Sequence, residues 1–90
     1  MPNIFLSTKA LNDFMYWAHN DRKILDKIDA LLNDIERNGA AKGIGKGKPE
    51  RLKHEDGYSR RINDEHRLIY KIKEENIIAV KSCKGHYEDK

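Results

Sequence analysis

Hydrophobic residues recur in different patterns along the chain, and each pattern predicts a different element. Residues 3–6 form a short apolar run typical of a strand, and Ser7 or Thr8 can cap a helix after it. Two amphipathic helices follow, because apolar residues return every three or four positions. Asn20 or Asp21 can cap the second helix. The two apolar stripes are Leu11, Phe14, Met15 and Ala18 with Trp17 beside them, and Ile24, Leu25, Ile28, Leu31, Leu32 and Ile35.

The second half of the chain predicts a loop followed by strands. Residues 42–49 hold three glycines and a proline, which is typical of a loop. Residues 58–63, 67–73 and 77–83 are strand-like and are joined by short polar turns, too short for parallel crossovers. The sequence therefore predicts one α+β domain over residues 1–90, in β-α-α-β-β-β order. Two N-terminal helices should pack on a twisted antiparallel sheet, with a short C-terminal tail.

Alternation along the predicted strands assigns side chains to the two faces of the sheet. The apolar positions expected to face the helices are Ile62, Leu68, Tyr70 and Ile72. Arg61 and Arg67 then share the opposite, open face. Two arginines together there indicate either a binding site or solvated edge charges, and alternation alone does not choose between these interpretations.

Composition excludes several classes of protein. A chain of 90 residues with 38% hydrophobic and 37% charged positions is typical of one small domain. The longest apolar stretch, residues 77–80, is far shorter than the roughly 20 residues of a membrane-spanning helix. No secretory signal pattern is found, so we expect a cytoplasmic protein. The single Cys83 excludes an internal disulfide and a cysteine-based zinc cluster, and it is best interpreted as a half-buried strand residue.

Charge is unevenly distributed along the chain. The formal net charge is +3, but residues 1–41 carry five basic against six acidic residues, and residues 42–90 carry thirteen against nine. Between residues 42 and 54 there is a single carboxylate, that of Glu50. The cations around it are Lys42, Lys46, Lys48, Arg51 and Lys53. Such a local excess of positive charge favours a polyanionic partner.

The glycine-rich loop has three interpretations. Lysines among glycines can bring ammonium groups and backbone N–H groups against phosphate. The loop is not a nucleotide-binding P-loop, because Gly47-Lys48 is followed by Pro49 and the loop follows a helix. The composition is equally compatible with a flexible linker, and a small phosphorylated ligand is a third, weaker alternative.

Glu50 and His86 are candidates for acid–base chemistry. Glu50 could be a general base or a charge-balancing surface residue. Its neighbouring cations stabilise the ionised carboxylate, which makes it a weaker base than a group poised near neutrality. His86 could protonate a leaving oxygen near neutral pH, or be an ordinary tail histidine. A metal site is disfavoured, because the four histidines lack metal-ligand spacing. A base, an acid and several cations suit RNA cleavage by the RNA's own 2′-hydroxyl, with RNA binding alone as the alternative.

Five ordered sequence blocks carry a resemblance to a known family. They are Gly45-Lys46-Gly47-Lys48-Pro49-Glu50, Leu52-Lys53-His54, Ser59-Arg60-Arg61-Ile62, Glu65-His66-Arg67-Leu68-Ile69-Tyr70 and His86-Tyr87. Together with Tyr16-Trp17 and Asp21-Arg22-Lys23, they closely resemble the YoeB/Txe toxins of the RelE superfamily. The similarity runs nearly the whole chain. It departs from the family around residues 40–44 and 55–58 and after residue 87, which affects loop geometry and leaves the catalytic assignment intact.

The resemblance implies the toxin of a type II toxin–antitoxin pair. This class of toxin is a ribosome-dependent endoribonuclease that cuts mRNA in the A site of the 70S ribosome, without metal or cofactor. The family's general base corresponds to Glu50, its transition-state arginine to Arg67 and its general acid to His86. Its stacking or phosphate-contacting tyrosine corresponds to Tyr87. The implied products are a 2′,3′-cyclic or 3′-phosphate and a 5′-hydroxyl.

The resemblance also implies supporting residues and partners. Lys53 and Arg61 match supporting phosphate-contacting positions, and Lys46 and Lys48 of the glycine-rich loop are further candidates for RNA binding. The expected partners are mRNA on the ribosome, a YefM-type antitoxin and a second copy of the chain. The main alternative is a translation inhibitor that binds RNA or the ribosome through the same basic face without cutting.

Overall fold

The fold is known from a computed structural model that describes residues 3–38, 45, 47–53, 55–74 and 77–85. Two helices and five strands occur in the described residues. In chain order they are β1 (Asn3–Leu6), α1 (Thr8–Asn20), α2 (Arg22–Asn38), β2 (Glu50–Arg51), β3 (Tyr58–Arg61), β4 (Arg67–Lys73) and β5 (Ile77–Ser82). The predicted α+β class and order of elements are confirmed, and the short β2 is an addition to them.

The helix boundaries follow from side-chain capping. Ser7 precedes α1, and its hydroxyl accepts a hydrogen bond from the N–H of Ala10 at 2.9 Å. The α1 helix ends where Asp21 adopts an extended backbone. The Asp21 carboxylate then accepts from the N–H of Lys23 at 3.2 Å, at the start of α2. Both predicted capping regions are therefore confirmed.

The strands form one mixed sheet in the order β1-β5-β4-β3-β2. Neighbours from β5 to β2 pair antiparallel, as the short turns predict. The first strand differs from the antiparallel expectation, because β1 pairs parallel with β5 and Ile4 lies opposite Ile78. The argument from short turns holds only for the strands after α2. Both helices separate β1 from those strands, and this connection is long enough for a parallel crossover.

The core lies between the helices and one face of the sheet. It includes Ile28 and Leu31 of α2 with Leu68 and Tyr70 of β4. Ile62 is buried too, as predicted. Ile72 lies opposite the buried Ile78 and so is on the helix-facing side as predicted, but its side chain is 39% exposed because residues 71–73 are all exposed at the end of β4.

One buried ion pair interrupts this apolar core. The guanidinium of Arg60 in β3 pairs with the carboxylate of Asp34 in α2, and both residues are almost completely buried. Arg60 Nε also donates to the hydroxyl of Tyr70 at 3.1 Å. Gly45 passes so close by that a Cβ added there would overlap Asp34 Oδ2. The pair therefore ties together α2, the sheet and the glycine-rich loop.

Candidate functional site

Strand register gathers the candidate residues on the open face of the sheet. Glu50 in β2 lies opposite Ser59 in β3, and Arg61 in β3 lies opposite Arg67 in β4. Residues directly opposite, or two apart on one strand, share a face. Two strand spacings of about 4.8 Å and two residue rises of about 3.4 Å separate the Cα atoms of Glu50 and Arg67 by about 12 Å. The predicted juxtaposition of Arg61 and Arg67 is therefore confirmed, and Glu50 joins it.

The side chain of Arg67 is held by the turn between β3 and β4. Its Nη1 donates to the carbonyl of Asn63 at 2.9 Å and to that of His66 at 3.2 Å. The Asn63 side chain stabilises this turn by accepting from the N–H of Glu65 at 2.8 Å. Among the described residues, Nε and Nη2 of Arg67 have no hydrogen-bond partner. These two groups form the side of the guanidinium fork that binds phosphate in a bidentate manner.

The glycine-rich loop is hydrogen-bonded to β3 of this sheet. The carbonyl of Gly47 accepts a hydrogen bond from the N–H of Arg61. Gly47 has a φ of +78°, and an added Cβ would lie 2.8 Å from the carbonyl oxygen of Arg61 and 2.9 Å from Leu31. Glycine is thus required by both conformation and space. At this point the loop is anchored and is not a free linker, so it sets the position of the next residue, Lys48.

The predicted cationic residues differ in their exposure to solvent. Lys48 is exposed and has a φ of +50°, an uncommon conformation for a residue other than glycine. Lys53 is exposed after β2, and Arg61 is half-buried. Lys46 lies outside the described residues. The register therefore places Glu50, Arg61 and Arg67 on one face of the sheet, and the hydrogen bond between Gly47 and Arg61 brings the backbone before Lys48 next to β3.

The predicted acid and tyrosine, His86 and Tyr87, also lie outside the described residues, which extend to Gly85. The carbonyl of Gly85 accepts a hydrogen bond from the backbone N–H of Arg67 at 3.2 Å. The chain that continues into His86 therefore starts beside the candidate arginine.

Cys83 is chemically inert, and it is more buried than the half-buried strand residue that the sequence predicts. It follows β5 directly and is fully buried. Burial raises the pKa of its thiol to about 12, and the negative charge of Asp13 adds to this effect. A thiol with so little thiolate at neutral pH is not a nucleophile.

Sequence patterns missed three side chains that pack around Cys83 and Gly85. Asp13 and Trp17 of α1 hydrogen-bond the backbone of Cys83, and His66 hydrogen-bonds Gly85. The signal for Trp17 was its place in the Tyr16-Trp17 block, but for Asp13 no local signal existed, since a helical aspartate is normally exposed.

The described ranges hold neither a metal-binding cluster nor a membrane-spanning helix. No three His, Cys, Asp or Glu side chains there converge as a metal site would require. No helix among those residues has the length and apolar character needed to cross a bilayer.

Comparison with known proteins gives one consistent family. A family model described as the YoeB-like toxin of bacterial type II toxin–antitoxin systems matches residues 6–87. Toxin YoeB of Escherichia coli strain K12 is 40% identical over 83 residues, which cover 90% of this chain and 94% of that protein.

Solved structures agree with this result. The YoeB dimer from Staphylococcus aureus is similar with a TM-score of 0.86 and 50% identity, covering 96% of this chain and 98% of that one. The heterotetrameric YoeB–YefM toxin–antitoxin complex from the same organism has a TM-score of 0.86 and 47% identity, with coverages of 97% and 99%.

Proposed function

The chain belongs to the YoeB-like toxins of bacterial type II toxin–antitoxin systems, and on that premise we propose that it is a ribosome-dependent endoribonuclease. Its substrate is mRNA in the A site of the 70S ribosome, and cleavage stops translation. The single observation that carries the proposal is the placement of Glu50, Arg61 and Arg67 on one open sheet face. A carboxylate on the same sheet face as two guanidinium groups can supply a proton acceptor for a phosphate-binding site.

The reaction uses the nucleophile that RNA itself supplies. Glu50 accepts the proton of a 2′-hydroxyl, and the 2′-oxygen attacks the adjacent phosphorus. The Nε and Nη2 groups of Arg67 bind the two non-bridging oxygens as negative charge develops on them. His86 donates a proton to the departing 5′-oxygen, so the bond from phosphorus to that oxygen breaks. The products are a 2′,3′-cyclic phosphate, which can open to a 3′-phosphate, and a 5′-hydroxyl.

The remaining candidates hold the RNA strand. Arg61 lies beside Arg67 and can neutralise the same phosphate or its neighbour. Lys46, Lys48 and Lys53 contact flanking phosphates, and Tyr87 stacks on a base or contacts phosphate. A site on an open sheet face has few walls of its own, so the ribosome must supply much of the substrate's positioning.

The cleavage proposal is tested by replacing Glu50 and Arg67. We expect Glu50→Gln and Arg67→Lys each to reduce cleavage of A-site mRNA by about 10²-fold or more, since each removes one group that acts in the transition state. Arg67→Lys keeps the charge and removes the bidentate fork. Primer extension on ribosome-bound mRNA measures the rate. Matched controls are Glu36→Gln and Arg37→Lys at exposed positions of α2, which should cleave at the wild-type rate.

Two other results would contradict the proposed cleavage or the role of Glu50. If wild-type protein arrests translation while the message stays intact, the proposed cleavage is wrong. If only Glu50→Gln cleaves normally, another group accepts the proton.

A non-cleaving translation inhibitor is the second candidate, and it is supported by the half-buried Arg61 on the open face and by the exposed Lys48 in the loop hydrogen-bonded to β3. Arg67→Ala and His86→Gln separate the two functions. Loss of toxicity with ribosome binding retained supports catalysis, whereas unchanged toxicity in both variants supports blocking.

Partners follow from the same family membership. The similar Staphylococcus aureus protein forms a dimer and a complex with YefM. We propose that this chain likewise forms a homodimer, is neutralised by a YefM-type antitoxin and acts in the cytoplasm, where translation occurs. Light scattering gives the oligomeric state, and growth should recover when an adjacent reading frame for a small acidic protein is coexpressed.

A further inference from the structure

His66 lies directly before the proposed catalytic arginine and faces inward. Its side chain is only 13% exposed, and its ring packs edge-on against Trp17 with the ring centroids 4.8 Å apart. Nδ1 of His66 accepts a hydrogen bond from the backbone N–H of Gly85 at 2.7 Å. Because Nδ1 is the acceptor, the neutral ring carries its proton on Nε2. His66 is therefore a half-buried hydrogen-bond acceptor for the backbone N–H of Gly85, the residue that precedes His86.

Both polar backbone groups of Gly85 are used by neighbouring residues. Its N–H donates to His66, and its carbonyl accepts from the N–H of Arg67. Gly85 has a φ of +92°, and an added Cβ would meet no atom within 4 Å. The requirement for glycine here is thus conformational. These two hydrogen bonds hold the backbone of Gly85 between His66 and Arg67.

Two further side chains anchor the same segment two residues earlier. Trp17 Nε1 donates to the carbonyl of Cys83 at 3.0 Å, and Asp13 Oδ2 accepts from the N–H of Cys83 at 3.0 Å. Trp17 and Asp13 are 5% and 6% exposed, so little water competes for these bonds. Trp17 thus supports both Cys83 and the ring of His66.

We propose that His66 is a positioning residue for RNA cleavage. By accepting the N–H of Gly85, it fixes the point and direction from which the chain continues to His86, the general acid. The inference rests on the proposed function above, and His66 itself touches no reacting atom. A general acid must lie within hydrogen-bond distance of the leaving oxygen, and a misplacement of about 1 Å can lower the rate by about 10²-fold.

A matched pair of substitutions isolates the hydrogen bond. Asn and Leu have nearly the same shape, and both remove the ring that packs on Trp17. The Oδ1 atom of His66→Asn can replace Nδ1 as acceptor, whereas His66→Leu offers none. We expect kcat for A-site mRNA cleavage to fall by about 10- to 100-fold in His66→Leu, with KM within about 3-fold of wild type. His66→Asn should retain a kcat at least about fivefold above that of His66→Leu. Equal kcat values in the two variants overturn the positioning role.

A second cycle separates positioning from a general structural effect. If His66 acts through His86, His66→Leu should lower kcat little further in a His86→Gln background. A full, additive loss in that background overturns the proposal. The wild-type control keeps the two questions apart, because a wild-type protein that does not cleave contradicts the proposed function, whereas an active wild type with additive losses contradicts only the role of His66.

A measurement on the wild-type protein decides the matter if His66→Leu does not fold. Two-bond ¹H–¹⁵N spectra should show His66 protonated at Nε2 and not at Nδ1, and the amide of Gly85 should be protected from hydrogen exchange. A proton on Nδ1 of the neutral ring, or exchange of the Gly85 amide at the rate of an open chain, overturns the proposal.

Discussion

The thiol of Cys83 is held in a site that opposes its ionisation. Burial raises its pKa to about 12, and the Asp13 carboxylate adds to the shift. The unfolded chain has no such site, so its thiol loses the proton near pH 9. Between these two values the folded state binds more protons than the unfolded state. The contribution of Cys83 to stability is therefore complete below pH 9 and is lost as the pH rises towards 12.

This linkage gives a prediction for Cys83→Ala. At pH 7 the variant should be less stable than wild type, because it loses buried volume. Above pH 9 the difference in the free energy of unfolding between wild type and the variant should shrink by up to about 1.4 kcal/mol per pH unit, since only wild type carries the thiol. Urea unfolding followed by circular dichroism at several pH values measures the difference. The two proteins differ only at residue 83. A stability difference between them that does not change with pH would contradict the prediction.

The packing of α2 against β3 and the glycine-rich loop depends on the ion pair of Arg60 and Asp34. Both side chains are buried, so removing one leaves an uncompensated charge in the core. We expect Arg60→Met to lower the free energy of unfolding by about 3–5 kcal/mol. The double variant Arg60→Met with Asp34→Leu should lose much less than the sum of the single variants, because neither charge remains.

A double-mutant cycle by urea unfolding, at one protein concentration, measures this coupling. Strictly additive losses would show that the two charges do not depend on each other. Arg37→Met, at an exposed position at the end of α2, is the matched control and should change stability by less than about 0.5 kcal/mol.

Predictability from the sequence differs between these elements. The α2 stripe, the caps at Ser7 and Asp21 and the alternation that buries Leu68 depend on residues close in the chain, and the structure confirms them. The α1 stripe is not confirmed as a buried face, because Leu11 and Met15 are 50% and 52% exposed. Contacts between distant charged residues could not be predicted in this way. Arg60 and Asp34 are 26 residues apart, and each has the side chain expected at a surface. The parallel pairing of β1 with β5 is equally non-local.

The candidate site likewise combines residues that the sequence pattern places correctly with residues that only the fold brings together. Alternation places Arg61 and Arg67 together, but only the register of β2 with β3 brings Glu50 onto their face. In the sequence, His66 is one member of the Glu65-His66-Arg67-Leu68-Ile69-Tyr70 block and one of four histidines without metal-ligand spacing, and neither pattern predicts its contact. Its hydrogen bond to Gly85 spans 19 residues and becomes evident only in the folded chain.

Across the whole molecule, positive charge is concentrated in the half that builds the open sheet face and its loop. The net charge of +3 is too small to explain binding to a polyanion by itself, so the position of each charge must decide the affinity. Lys48 and Lys27 test this directly. Both are exposed lysines, but Lys48 lies in the glycine-rich loop and Lys27 on α2.

Neutralising Lys48 should therefore weaken ribosome binding more than neutralising Lys27, although Lys48→Gln and Lys27→Gln change the net charge equally. A lost phosphate contact lowers the slope of log affinity against log salt concentration by about 0.7 for single-stranded RNA. We expect that reduction for Lys48→Gln and a slope close to that of wild type for Lys27→Gln. Binding of labelled protein to programmed 70S ribosomes, titrated with KCl at constant Mg²⁺, measures both slopes. Equal reductions in the two variants would show that overall charge, and not the sheet face, attracts the RNA.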